Sequence, residues 1–390
     1  HTANRRQRQM CIRDRSYFGR FIDLMEELMT TPTSWHAMRQ AHLPKGTPTY
    51  AADATKFRPI TIESAWYRHW SRYRLRSSEV QAWMKKWWPR NAYGGAEGSL
   101  VSAALYHIHN AVNRGDTTAT LDYSLCFDYT DPDLVLDTFD EMGLCDKLLG
   151  VFRHVWKNQK RFLSFANKTS PFPTDVSTSL PQGDTWSMWG AIAVLNTATR
   201  MVEARMQAKG MPIPKGITLY VDDRTITHRD PETVVAATAE FLRVSDSLGL
   251  KENATKIGIT AKHKYTRQLI DQYLTKYDLQ NKGVKVTTSV KILGCTTTPA
   301  GSRQTNTDEQ KRLNKAKHIA TRIMALPVTS KQKRQYLSAT ALPTANWGWN
   351  LRPMTQRQSD QLQSAIDKTN KRPRQANPHL HKIILSLIHI

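Results

Sequence analysis

The sequence predicts an α+β protein of two or three packed subdomains, in which helical regions flank a middle region of mixed helices and strands. Its 390 residues exceed the length at which a single hydrophobic core stops growing. With 39% hydrophobic and 23% charged residues, the composition is typical of a globular chain. No internal repeat is present, so solenoid and propeller folds are excluded.

Apolar residues recur at helical spacing in many parts of the chain. Pro32 and Gly143 stand just beyond two of these patterns, where helices commonly end. A helix rich in Trp, Tyr and Arg is expected after Ile62. The other predicted helices are Tyr17–Met29, Leu100–Val112, Pro132–Met142, Leu148–Trp156, Trp186–Met206, Pro231–Leu248, Thr307–Met324 and Lys331–Thr340.

Short apolar runs bounded by turn residues predict the strands. Two of these strands lead directly into carboxylates, one into Asp122 and one into the pair Asp222 and Asp223. Candidate chemistry therefore lies at two strand ends. The predicted strands are Phe57–Ile62, Ala119–Leu121, Ile217–Val221, Arg224–Thr227, Lys256–Thr260 and Val290–Cys295, with a hairpin over Phe162–Ser179.

The formal net charge of +23 favours a polyanionic partner such as nucleic acid. Charge alone leaves acidic membranes and ribosomes open as alternatives. The four scattered cysteines lack CxxC spacing, which indicates an intracellular protein of the nucleus or cytoplasm without a disulfide framework or zinc finger. No apolar run approaches the roughly 20 residues of a membrane span, so no membrane partner is expected.

Asp222 and Asp223 fall at the tip of a predicted hairpin. A surface turn explains a lone Asp pair, because tight turns tolerate Asp. Adjacent carboxylates repel each other, however, and a cation relieves that repulsion. If the strand before Asp122 pairs with the hairpin, three carboxylates gather where two Mg²⁺ ions about 3.5 to 4 Å apart could direct phosphate chemistry.

Six short motifs follow one another between about residues 56 and 296. They are Phe57–Ile60 (FRPI) with Tyr67 and Arg68, Leu121–Asp128 (LDYSLCFD), Leu180–Gly183 (LPQG) followed by Ser187, Tyr220–Asp223 (YVDD), Leu248–Lys256 (LGLKENATK) and Lys291–Gly294 (KILG). In this order they resemble the fingers motif, motif A, motif B, the YxDD box, motif D and the primer-grip motif E of reverse transcriptases. The resemblance is to RNA-directed DNA polymerases of the non-LTR retrotransposon type.

The resemblance implies a right-hand polymerase, with fingers, a palm whose antiparallel sheet is flanked by helices, and a helical thumb. A domain boundary is expected near Thr298–Arg303. The implied parts are residues 1–45 as an N-terminal helical segment, 46–118 as fingers, 119–160 as the first part of the palm, 161–180 as a fingers insertion, 181–298 as the second part of the palm with motifs B to E, and 299–390 as a truncated thumb with a basic tail.

The resemblance also implies the roles of the acidic residues. Asp122, Asp222 and Asp223 become the catalytic carboxylates and the ligands of two Mg²⁺ ions, with Mn²⁺ as a substitute. The carbonyl of Tyr123 becomes a further ligand. The implied reaction is attack of a primer 3′-hydroxyl on a dNTP α-phosphate, with an RNA template and a DNA or RNA primer as partners.

Five further residues match the nucleotide-binding positions of the family. Phe127 matches the aromatic residue that excludes a 2′-hydroxyl and so favours dNTPs, although an ordinary core Phe remains an alternative. Gln182 and Gly183 match the segment that lies against template and incoming base, where glycine allows close backbone approach. Arg58 matches the cation that contacts the triphosphate. Lys256 is a candidate for protonating pyrophosphate.

Nucleic-acid contacts are expected from two regions. Arg68, Arg72 and Arg74 are interleaved with aromatic residues and either line the template channel or form a solvated helix face whose aromatics enter the core. Leu293 and Gly294 belong to the primer-grip motif. The tail cations are expected on a solvated or duplex-facing thumb surface: Lys368, Lys371, Arg372 and Arg374.

The sequence departs from the family pattern at two places. Leu125 replaces the common lysine of motif A, and Asp184–Trp186 replaces the usual small residue, variable residue and leucine of motif B. Two other functions stay open. Asp128 would suit an RNA-dependent RNA polymerase, which Val221 and the Pro-Gln-Gly of motif B disfavour; a non-catalytic nucleic-acid-binding palm protein would not need three intact carboxylates.

Both termini resemble translated sequencing-adapter sequence. The segments are Met10–Ser16 (MCIRDRS) and Leu385–Ile390 (LSLIHI). If they are adapter, the reading frame is a fragment whose flanking domains are missing. Neither an endonuclease nor an RNase H module is assigned.

Overall fold

The computed structural model describes residues 17–45, 57–96, 100–165, 168–214, 216–297, 307–348 and 355–368. These residues form two compact units, the first up to Val290 and the second from Lys291 onward. Several predicted features lie outside the described residues. They are both adapter-like segments, the boundary near Thr298–Arg303, and the tail positions Lys371, Arg372 and Arg374.

Helices and strands alternate irregularly along the first unit. Its helices are α1 (residues 17–27), α2 (Ala65–Leu75), α3 (Ser78–Trp87), α4 (Val101–Arg114), α5 (Cys126–Tyr129), α6 (Pro132–Glu141), α7 (Asp146–Lys157), α8 (Thr185–Ala208), α9 (Pro231–Ser247) and α10 (Lys264–Lys276). Its strands are β1 (Ala37–Pro44), β2 (Phe57–Ile62), β3 (Ala92–Tyr93), β4 (Thr117–Leu121), β5 (Gln159–Phe165), β6 (Lys168–Thr169), β7 (Thr174–Val176), β8 (Gly216–Tyr220), β9 (Asp223–His228), β10 (Gly258–Thr260) and β11 (Lys285–Thr287).

A five-stranded sheet joins distant parts of the first unit. Strand β1 pairs antiparallel with β2 and parallel with β5, and β5 also pairs with β6 and β7. Residues 1–45 were predicted to form a helical segment, whereas Ala37–Pro44 is a strand. Its parallel partner β5 lies more than a hundred residues further along the chain, so no local sequence pattern predicts strand β1.

A six-stranded sheet forms the other layer, in the order β11-β10-β4-β9-β8-β3. Strands β4, β8 and β9 confirm three strand predictions, and β4 lies between β9 and β10 with antiparallel pairing on both sides. Helix α9 packs against β4 and β9, and α4 packs against β8 and β9. Helix α4 was predicted within the fingers range 46–118, yet it packs on this sheet. Helix α10 and strand β11 were not predicted.

Aromatic side chains join α2, α7 and α8 in the core of the first unit. The Trp186 ring lies 4.6 Å from the ring of Phe152 and 5.6 Å from that of Trp189. The Trp186 indole nitrogen donates to the carbonyl of Ser71 at 3.1 Å, so the buried N–H is satisfied. These contacts fix the start of α8, which follows directly after motif B.

The second unit consists of a short hairpin and a group of helices. Its strands are β12 (Val290–Ile292), which begins at the last residue of the first unit, and β13 (Cys295–Thr297). Its helices are α11 (Thr307–Ala325), α12 (Ser330–Tyr336), a π-helical turn (Leu337–Ala341), α13 (Leu342–Asn346) and α14 (Gln356–Lys368). The hairpin turn places Leu293 at φ 48° and Gly294 at φ 79°. Trp347 donates its indole N–H to the Leu293 carbonyl at 2.8 Å. The predicted motif E therefore packs with the C-terminal helices.

No helix in the described parts of the chain is long and apolar enough to cross a bilayer.

Candidate nucleotidyl-transfer site

Strand pairing brings the three predicted carboxylates to one edge of the six-stranded sheet. In the β4–β9 ladder Leu121 pairs with Arg224, and in the β8–β9 hairpin Tyr220 pairs with Asp223. Asp122 therefore leaves its strand beside the hairpin turn that carries Asp222 and Asp223. Val221, within this turn, has φ 53°, a strained conformation for a β-branched residue.

Burial and mutual repulsion disfavour negative charge at this edge. Burial is the main cause that raises the pKa of Asp222, and the charge of Asp122 adds to it. Burial and then Asp222 and Asp122 raise the pKa of Asp223 to about 6, against the opposing effects of Lys256 and Arg224. Since Asp122 affects both other carboxyl groups and Asp222 affects Asp223, the three acidic groups lie close together.

A short loop, Lys251–Lys256, lies against Asp122 and is called the lysine loop below. The Ser124 amide donates to the Lys251 carbonyl at 2.8 Å, and the Asn253 amide donates to the Asp122 carbonyl at 2.8 Å. The loop ends in a 3₁₀ turn, Ala254–Lys256. From there the Lys256 ammonium reaches the Asp122 carboxylate at 2.7 Å.

The donor atoms at this edge suit a hard divalent cation. Carboxylate oxygens are the protein ligands that Mg²⁺ prefers, and a cation would relieve the repulsion among the Asp side chains. The backbone bridge between Tyr123 and Glu252 uses neither the amide nor the carbonyl of Tyr123. Across the described ranges, no three His, Cys, Asp or Glu side chains are grouped so as to hold a metal ion, so the carboxylates are neighbours rather than a formed ligand cluster.

Backbone hydrogen bonds connect motif A, motif B and strand β2. The Leu180 amide donates to the Phe127 carbonyl at 2.9 Å, and the Thr61 amide donates to the Gln182 carbonyl at 2.7 Å. Gly183 has φ 130°, and a Cβ at this position would lie 2.7 Å from the Thr61 carbonyl oxygen. The close approach that this glycine permits is therefore to the protein's own strand β2.

These motifs lie within a recognised sequence family. The family model for reverse transcriptase (RNA-dependent DNA polymerase) matches residues 43–297, which is more than half of the chain. The chain belongs to the reverse transcriptase family. The predicted α+β right-hand polymerase fold is thereby confirmed, whereas the non-LTR retrotransposon type is not tested by this match.

Solved telomerase structures are similar to this reverse transcriptase at low identity. Telomerase from Candida albicans, in complex with the TWJ fragment of telomeric RNA, aligns with a TM-score of 0.45 and 10% identity over 86% of this chain and 56% of that chain. Apo telomerase from Candida tropicalis aligns with a TM-score of 0.46 and 9% identity over 87% of this chain and 63% of that chain. This chain thus spans less than two thirds of either telomerase. No curated protein sequence matches it.

The arginines predicted around the reverse transcriptase site are either exposed to solvent or paired with a buried carboxylate. Arg58, exposed on β2, is close enough for its charge to lower the pKa of Asp222. On α2, Arg68 and Arg72 are exposed, whereas Arg74 pairs with the buried carboxylate of Glu26.

The aromatic residues of α2 divide in the same way. Tyr67 and Trp70 are buried, while Trp66 and Tyr73 are 60% and 59% exposed. Helix α2 therefore combines a core face with a basic solvated face. A solvated helix face with aromatics in the core describes Tyr67 and Trp70, whereas contact of Arg68 and Arg72 with a template stays a prediction.

The motif B departure at Asp184 has a structural explanation. Asp184 caps the start of α8, and its carboxylate accepts hydrogen bonds from the Trp186 amide at 3.0 Å and the Tyr67 hydroxyl at 2.8 Å. The Trp156 indole N–H donates to the same carboxylate at 3.0 Å. Burial raises the pKa of Asp184, and these donors oppose the rise. Asp184 therefore ties motif B to α2 and α7.

A buried ion pair next to the carboxylates, between Arg224 and Glu252, was not predicted from the sequence. The side chain of Arg224 is fully buried, and its two terminal nitrogens donate to both oxygens of Glu252 at 2.7 and 2.6 Å. Arg224 shares a strand face with the buried Ile226, and this position in the predicted strand Arg224–Thr227 was the signal in the sequence. A charged residue at a buried strand position requires a charged partner.

We predict that Gly183→Ala destabilises the first unit by at least about 2 kcal/mol more than Gly210→Ala, because the added methyl group collides with the Thr61 carbonyl. Gly210 is the matched control, since its φ is 66° and no described atom lies within 4 Å of an added Cβ. Chemical denaturation followed by tryptophan fluorescence measures both variants. Equal losses for the two variants would contradict the packing explanation.

Proposed function

We propose that this reverse transcriptase copies an RNA template into DNA by extending a DNA or RNA primer with dNTPs, as part of a retroelement of the non-LTR type. The observation that carries the proposal is the pairing of β4 with β9, which puts Asp122 beside Asp222 and Asp223. The family match and the order of the motifs support it. The net charge of +23 suits both nucleic-acid partners.

Asp122, Asp222 and Asp223, with the Tyr123 carbonyl, would hold two Mg²⁺ ions or their Mn²⁺ substitutes. When bound, such cations lower the pKa of a primer 3′-hydroxyl and stabilise charge on the leaving pyrophosphate. The protein's own contribution is to keep these oxygens together at one sheet edge. Their raised pKa values mean that negative charge is costly there without a cation.

Other side chains have separate roles in the proposed reaction. Arg58, near Asp222 and exposed to solvent, would bind the triphosphate of the incoming nucleotide. Lys256, at the carboxylate of Asp122, would donate a proton to the departing pyrophosphate. Gln182 and Gly183 would support the template and the incoming base.

Phe127 is proposed to select the sugar. Its ring is partly buried at the edge of the core, and its carbonyl is bonded to Leu180 at the start of motif B. A ring at this position would leave too little space for a 2′-hydroxyl.

Parts of the right hand are proposed as follows. The five-stranded sheet with α2 would form the fingers, the six-stranded sheet with α4, α8 and α9 the palm, and the second unit the thumb. Arg68 and Arg72 would face the template, and the turn at Leu293 and Gly294 would contact the primer. Glu26 already pairs with Arg74, which makes Arg74 the weakest of the three α2 candidates.

An RNA-dependent RNA polymerase is the nearest alternative. That function would use Asp128 near the reacting groups. Burial raises the pKa of Asp128, and the charges that oppose this rise are those of Arg161, Lys45 and His42 rather than of groups at the Asp222 edge. A non-catalytic palm protein is the other alternative. It leaves the costly gathering of three carboxylates unexplained.

We predict that Asp222→Asn lowers primer extension by at least about 100-fold, because it removes a charge that would hold the cations. Binding of the template–primer duplex, measured by fluorescence anisotropy, should stay within about twofold of the wild-type value. Asp246→Asn is the control, since it removes the same charge from an exposed position on α9. Full primer extension by Asp222→Asn would refute the proposed function.

We predict that Phe127→Val lowers the preference for dNTPs over rNTPs by at least about tenfold, because a smaller side chain leaves space for a 2′-hydroxyl. Parallel primer-extension assays with dNTPs and rNTPs measure the preference. Phe172→Val, at a side chain 79% exposed, serves as the control. Unchanged selection would make Phe127 a core residue, and rNTP preference by the wild type would favour the RNA polymerase alternative.

A further inference from the structure

The ion pair between Arg224 and Glu252 lies directly behind the carboxylates. Arg224 follows Asp223 in β9, and its guanidinium binds Glu252 through two parallel hydrogen bonds of 2.7 and 2.6 Å. The side chains are 0% and 6% exposed. Paired hydrogen bonds of this kind fix orientation as well as distance, because both partners are planar.

Neighbouring side chains hold both members of the pair in place. The Arg224 guanidinium lies 3.8 Å from the centre of the Tyr123 ring and 5.3 Å from that of Phe241. Ser245 donates its hydroxyl to Glu252 at 2.6 Å and lies 3.0 Å from the Tyr123 hydroxyl. Burial would lower the pKa of Arg224, but Tyr123 and Glu252 outweigh it and keep the guanidinium charged.

Glu252 is also part of the backbone of the lysine loop. Tyr123 and Glu252 form an antiparallel bridge, whose hydrogen bonds join Ser124 to Lys251 and Asn253 to Asp122. The Asn253 carbonyl accepts the Lys256 amide at 2.9 Å, closing the turn that directs Lys256 to Asp122. A displacement of Glu252 therefore moves Asn253 and then Lys256.

The buried charge of Arg224 allows the lysine loop to attach to the hairpin in one position only. An Arg224 guanidinium left without Glu252 would remain unpaired in the core, which proteins avoid. The lysine loop therefore cannot shift away from the hairpin without breaking the pair. An apolar contact of the same size would tolerate sliding, since it has no fixed direction.

We propose that Arg224 and Glu252 are positioning residues, which lock the lysine loop to the catalytic hairpin and so keep the Lys256 ammonium at Asp122. This inference rests on the proposed function for the role of Lys256. The attachment of the loop is a separate claim, which can be measured without any catalysis.

The first test measures the loop itself by hydrogen–deuterium exchange. Arg224→Met/Glu252→Leu removes both charges at similar volume, so the core stays filled. We expect exchange in peptides covering residues 251–257 to rise by at least about tenfold, while peptides of α7, a helix that packs on α6, stay unchanged. Glu240→Gln is the matched control, because Glu240 is also buried and pairs with Lys209 and Arg243 away from the loop.

The second test is a mutant cycle with Lys256→Met, read as the single-turnover rate of nucleotide incorporation at saturating dNTP. Lys256→Met should slow the wild-type protein by roughly 100-fold, a general-acid effect. The incorporation rate of the Arg224→Met/Glu252→Leu protein should fall to a similar extent. Adding Lys256→Met to this protein should lower the rate little further, because Lys256 is already displaced from Asp122. Template–primer affinity should stay within about twofold in all variants.

The outcomes separate the two claims. Unchanged exchange in residues 251–257 overturns the inference, and so do fully additive effects in the cycle. If the wild-type protein incorporates no nucleotide, the proposed function fails, and the exchange result alone decides whether the pair holds the loop. If Arg224→Met/Glu252→Leu does not fold, Arg224→Lys replaces it under the same criteria, because Lys keeps the charge but loses the paired hydrogen bonds.

Discussion

The antiparallel pairing of β4 with β9 is the constraint on which the candidate site depends. Leu121 stands opposite Arg224, so Asp122, which follows Leu121, and Asp223, which precedes Arg224, fall at the same sheet edge. A shift of one residue would turn the side chains of β4 to the other face of the sheet and separate Asp122 from the hairpin. Helix α9 covers β4 and β9 with apolar side chains, and this burial sets the register.

Charge balance around that edge links the fold to the chemistry. Three carboxylates gather in a strongly basic chain, with Arg58 and Lys256 in reach on the solvent side and Arg224 buried behind. These three basic side chains stabilise the negative charge of the carboxylates only in part, because the pKa of Asp223 still rises to about 6. The site is therefore prepared for additional positive charge, which the proposed function assigns to metal ions.

The sequence predicts correctly those elements whose pattern lies within a few neighbouring residues. The bounds of β2 and the helices before and after motif B follow from apolar spacing and from Pro or Gly at the ends. Strand β1 and the ion pair of Arg224 with Glu252 depend on partners far along the chain, which one sequence does not reveal. Asp184 departs from the family pattern of motif B, and only its hydrogen bonds with Tyr67 and Trp156 gave it a structural role.

Iron-directed backbone cleavage tests most directly whether the three carboxylates share bound divalent cations. Fe²⁺ with ascorbate and peroxide replaces Mg²⁺ and cuts the chain only near the bound ion, and mass spectrometry maps the cuts. We predict cuts in both segments, Leu121–Tyr123 and Val221–Asp223, that Mg²⁺ suppresses and Asp122→Asn abolishes. Cuts in only one segment, or cuts that persist in Asp122→Asn, would contradict it.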